Sequence, residues 1–130
     1  MAPSDTTPGP RWRIAWFGHD WGAPFARAVV GRGHRIARMF TEDAVRGDGS
    51  RETRALADAL GVPVTGGRPS PDDIEEVGRS GVDLIVCAGY PWRIPVAAGG
   101  PRGLNVPPPL LPEGRGPLPF PHLILHGVQA

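Results

Sequence analysis

Val82–Cys87, VDLIVC, is the most strongly apolar run of the chain. Gly81 precedes it and Ala88-Gly89 follows it. A short, nearly unbroken apolar run bounded by glycine is the pattern of a strand covered on both faces, as in a parallel sheet. The run is therefore expected to be a central strand.

Working back from this strand, Pro71–Arg79 reads as a helix with Ser70 as its N-cap, proline at its first position and acids in its first turn. Val62–Val64 reads as a short strand. Arg51–Leu60, RETRALADAL, has apolar residues at helical spacing and stops at Gly61. Glu42–Ser50 is a polar loop, and Ile36–Thr41 is a strand. Pro24 opens an amphipathic helix over Phe25–Val30, closed by Gly31 and Gly33. Arg13–Phe17, RIAWF, is a buried first strand ended by Gly18. Beyond the central run, Leu104–Val106 is a further strand, and Leu118–His126 begins a helix that Pro119 and Pro121 delay.

Strands alternating with helices imply an α/β fold: a Rossmann-like parallel sheet with helices on both faces. Ligands of such sheets bind at the carboxyl ends of the strands. Three loops belong to that edge: Gly18–Ala23, Ala88–Pro95 and Pro107–Gly116.

The chain's 130 residues suit one domain. Residues 1–11 read as a disordered tail and 12–130 as the domain. A net charge of +1 gives no electrostatic reason to expect nucleic acid or an acidic membrane surface. All 14 basic residues are arginine. The single cysteine, Cys87, excludes an internal disulfide and a cysteine metal cluster, and points to a reducing cytoplasm. The start, MAPSDTTPGP, lacks the basic and apolar regions of a signal peptide, and no apolar run approaches the ~20 residues that span a bilayer.

The loop FGHDWGAPF precedes a helix N-terminus, which can receive an anion. It is not a GxGxxG fingerprint and has no P-loop lysine. His19 and Asp20 either make a local turn or line the entrance for a ligand. In AGYPWRIP (Ala88–Pro95), the aromatic residues Tyr90 and Trp92 either cap the core or wall a flat apolar slot. Cys87 reads as a buried structural thiol. The Pro-rich segment Pro107–Pro121 could form polyproline II, but Leu110, Leu111, Leu118 and Phe120 suit a packed domain better.

Gly103–Gly116, GLNVPPPLLPEGRG, carries the most specific pattern. It resembles the loop Asn-x-His-Pro-Ser-Leu-Leu-Pro-x-x-Arg-Gly of the folate-dependent formyltransferases. Asn105, Pro108, Leu110, Leu111, Pro112, Arg115 and Gly116 match it, whereas Pro107 stands in place of the His and Pro109 in place of the Ser. The resemblance extends from about Arg13 to Gly127.

It implies a formyltransferase-like fold and formyl transfer from 10-formyltetrahydrofolate to an amine, with no metal. Asn105 would be the catalytic oxyanion donor, and Tyr90, Trp92, Arg93, Ile94 and Pro95 would border the folate. The absence of a basic patch favours a small-molecule amine over tRNA as acceptor. The family's catalytic Asp would fall beyond Ala130, so the domain is expected to be truncated and its activity impaired. A homodimer partner or second subunit would then cover the sheet edge. The alternatives are a non-catalytic folate- or partner-binding domain of the same fold, and an unrelated nucleotide-binding domain.

Overall fold

The computed structural model describes residues 9–43, 49–95 and 99–106. Its five strands are β1 (Arg13–Gly18), β2 (Arg35–Thr41), β3 (Val64–Gly66), β4 (Leu84–Ala88) and β5 (Arg102–Asn105). All pair in parallel, in the order β3-β2-β1-β4-β5. The apolar run chosen from sequence is thus next to the middle of the sheet, between β1 and β5. Among the described residues, three α-helices join the strands: α1 (Ala23–Gly31), α2 (Arg51–Leu60) and α3 (Pro71–Arg79).

The strand alternation sorts the core into two layers. Ile14, Trp16, Met39 and Val86 pack with Ala26 of α1 and Leu56 and Ala57 of α2. Ala15, Phe17, Phe40, Ile85 and Cys87 pack with Val77 of α3. Helices therefore cover both faces, as a Rossmann-like α/β sheet requires. A register shift lies between Ile14 and Ala15, where β1 passes from pairing Ile36 to pairing Arg38. The extra residue, Ala37, moves the alternation of β2 by one step. Phe40 consequently stacks on Phe17 at 4.3 Å, and the Arg38 guanidinium lies 4.7 Å over Phe40.

Local chemistry explains the element boundaries. Ser70 Oγ accepts from the Asp73 N–H while the Asp73 carboxylate accepts from the Ser70 N–H, a complete capping box. Gly61, at φ 69°, ends α2 in the left-handed region. The strand expected at Val62–Val64 starts instead at Val64. Val62 N–H still donates to Ala57 O, closing α2, and Pro63 has no N–H to pair. The strand expected to start at Val82 begins at Leu84, and the last one runs Arg102–Asn105 rather than Leu104–Val106. His34 belongs to a structural turn, its Nδ1 accepting from Trp12 N–H at 3.1 Å. The expected helix at Leu118–His126, most of the expected N-terminal tail and the loop from Pro107 onward lie outside the described residues.

Candidate functional site

The strand order reverses between β1 and β4, so the carboxyl edge there is the crevice where sheets of this kind bind ligands. Gly18, Thr41, Ala88 and Asn105 end their strands along that edge. Asn105 lies opposite Cys87, so it shares the α3 face of the sheet, and it is half-buried. The bond from Val106 N–H to Cys87 O, 2.8 Å, holds this end of β5 to β4. Asn105 is thereby fixed next to the strand from which the loop Gly89–Pro95 departs.

That loop turns back over the α3 face. Gly89 has φ 84°, and the Trp21 indole occupies the space a side chain would need. Tyr90 is buried, its hydroxyl donating to Gly67 O at 2.9 Å. Its ring meets Phe17 edge-on at 5.2 Å and Trp92 at 5.3 Å. Burial raises the Tyr90 phenol, the charges of Cys87 and Asp73 add to this, and Arg68 opposes it. Ile94 is 3% exposed within the same core layer. The Tyr90 and Ile94 side chains are therefore committed to packing, and anything they offer a ligand comes from their backbone. Trp92 is half-buried, while Arg93 and Pro95 are exposed. Among the described residues, the backbone of 91–95 makes no hydrogen bond to other backbone groups. Pro95 also borders a groove of about 510 Å³ beside α3, walled by Pro71, Ile74, Val77, Ile85 and Pro101.

On the other side of β4, His19 and Asp20 part company. The Asp20 carboxylate accepts from Glu52 N–H at 3.0 Å, Thr53 N–H at 2.8 Å and Thr53 Oγ1 at 2.8 Å. It caps α2 from outside. His19 N–H donates to Ala88 O at 3.1 Å, and its Nε2 lies 3.6 Å from Glu42 Oε2. The two are not a dyad. Glu42 was missed as a neighbour in the sequence, although its position just past β2 puts it on the same edge. The glycines of this turn make room for indoles: the Trp16 ring lies 2.6–2.8 Å from where a Gly18 Cβ would stand.

Cys87 is buried, and burial pushes its thiol from 9.0 to about 11, against a hydrogen bond from the Tyr90 backbone. Such a thiol is inert at neutral pH. Among the described residues, no three His, Cys, Asp or Glu side chains converge as a metal site, and no helix is long and apolar enough to cross a membrane. Comparisons of the chain with family models, curated proteins and solved structures returned no match.

Proposed function

We propose that this chain is a formyltransferase-like domain, derived from cytoplasmic enzymes that pass a formyl group from 10-formyltetrahydrofolate to an amine. The observation that carries the reading is the position of Asn105. It ends a strand at the carboxyl edge, beside the central strand and the loop Gly89–Pro95. The donor supplies a formyl carbon on nitrogen; an amine attacks it, negative charge gathers on the formyl oxygen, and collapse releases tetrahydrofolate with the proton the amine loses. The Asn105 amide is suited to donate to that oxygen. The backbone groups of residues 91–95, which make no bond to other backbone groups among the described residues, suit the edge of a heteroaromatic ring, with Trp92, Arg93 and Pro95 around it. This fit is one of backbone and rim, because Tyr90 and Ile94 face the core.

Pro107 has neither an imidazole nor an N–H, so it cannot carry the proton as the family's His does. Turnover is accordingly slow, and the acceptor is a small-molecule amine rather than tRNA. The second reading, a folate-binding domain without turnover, rests on the same Pro107. A homodimer partner or another subunit covering β5 belongs to either reading.

Calorimetric titration with 5-formyltetrahydrofolate separates these ideas. Binding by the wild type and by Asn105→Ala, with formyl transfer from 10-formyltetrahydrofolate to a small amine, assayed separately, reduced about 10²–10³-fold in the variant, is the expected result. Binding without detectable transfer selects the second reading. No heat at millimolar ligand removes the folate assignment altogether.

A further inference from the structure

The amino-terminal edge of the sheet, at the other end of the strands from Asn105, gathers arginines from separate parts of the chain. Arg13 and Arg35 open β1 and β2 and stand directly opposite each other in the parallel register. Ile14 and Ile36, one step on, both pack in the layer of α1 and α2, so Arg13 and Arg35 share the opposite face. Like charges opposite one another on neighbouring strands, about 5 Å apart, work against the pairing. Arg11 joins them: its guanidinium lies 3.7–4.0 Å from where a Gly33 Cβ would stand. Arg11, Trp12, Arg13, Gly33 and Arg35 together border one hollow of about 410 Å³.

Elsewhere in the fold arginine meets acid. Arg38 faces Asp73 and Glu76, Arg79 faces Glu75 and Arg27 faces Glu52. Among the described residues, Arg11, Arg13 and Arg35 have no such ion pair, and no carboxylate residue borders their hollow. Arg13 Nε donates to Ser80 O at 3.1 Å, at the end of α3. The Asp83 carboxylate accepts from Arg13 N–H at 3.0 Å and borders the neighbouring hollow instead. Three guanidiniums therefore wall a space without an acid to balance them. Each presents paired N–H groups that match two oxygens of a phosphoryl group. A single carboxylate leaves positive charge unbalanced, whereas a diphosphate, with about three negative charges near neutral pH, matches all three. The volume lies in the range of small-ligand sites. We propose that this edge binds the diphosphate group of a small molecule between Arg11, Arg13 and Arg35. The bound anion offsets the repulsion between the starts of β1 and β2. This inference is independent of the proposed activity.

Inorganic pyrophosphate is the probe, without divalent cations and with sulfate at matched ionic strength as the screening control. Calorimetry should show submillimolar binding to the full chain, and Tm should rise as pyrophosphate passes its Kd, with a far smaller rise in sulfate. Arg35→Gln and Arg11→Gln should each weaken pyrophosphate at least about tenfold, through the loss of charged hydrogen bonds. The ligand-free Tm of Arg35→Gln should stay level or rise, because a like charge opposite Arg13 is gone. No binding at millimolar pyrophosphate, an equal effect of sulfate, or undiminished binding by both variants overturns the proposal. Tighter binding of a single-stranded oligonucleotide than of pyrophosphate also overturns it, making the edge a nucleic-acid contact.

Discussion

Cys87 shows how one residue's surroundings become a property of the protein. Its thiol is raised from 9.0 to about 11 chiefly by desolvation. The folded state therefore holds this proton more tightly than the unfolded chain does. The corresponding stability is complete below pH 9 and is lost as pH rises through about 11. Its size is on the order of 2 kcal/mol, from the linkage between pKa and folding. The raised Tyr90 phenol acts in the same direction at still higher pH. Urea unfolding at pH 8 and pH 11 should show the wild type losing more stability across this interval than Cys87→Ala. Equal losses would mean that the thiol is not desolvated. The same burial keeps Cys87 unreactive with thiol reagents until the chain unfolds.

The helices depend on caps supplied in two ways. α3 is capped by its own sequence, through Ser70 and Asp73. α2 is not: its N-cap residue, Ser50, makes no side-chain capping bond, and its Oγ accepts instead from Arg54 Nε at 3.1 Å. Asp20, more than thirty residues away in sequence, takes over with three bonds to Glu52 and Thr53. A carboxylate there also faces the positive end of the helix. Asp20→Ala should therefore cost about 2 kcal/mol, near the top of the range for lost caps, with Thr53 Oγ1 left unpaired. Denaturant titration measures it. A loss comparable to that of an ordinary surface substitution, under ~0.5 kcal/mol, would show that the cap carries little weight. The adjacent His19-Asp20 pair left a local turn and a ligand entrance both open in the sequence, and fold contacts turn the two side chains to different partners.

At the scale of the molecule, β1 and β4 are flanked by strands on both sides, whereas β3 has three residues and β5 has no further partner among the described residues. Hydrogen exchange should follow this gradient: amides of Ala15–Phe17 and Ile85–Cys87 open only with global unfolding, and those of Arg102–Asn105 exchange at least about tenfold faster. If β5 proves as protected as β1, another strand pairs with it, as a covering partner would. Much of this architecture was legible in the chain. Apolar runs closed by glycine, proline at helix starts and Gly61 at a helix end are local signals, and they fixed the parallel α/β plan and the carboxyl edge with Asn105 on it. The sequence could not say which way the aromatics of Gly89–Pro95 point, because that depends on Phe17 and Gly67, distant along the chain. Nor could it reveal the bulge at Ala37, which lets Phe40 stack on Phe17, or the remote cap from Asp20. Periodicity and turn chemistry are written in neighbouring residues. Side-chain direction and hydrogen-bond partnership at the edge are decided only when separate strands come together.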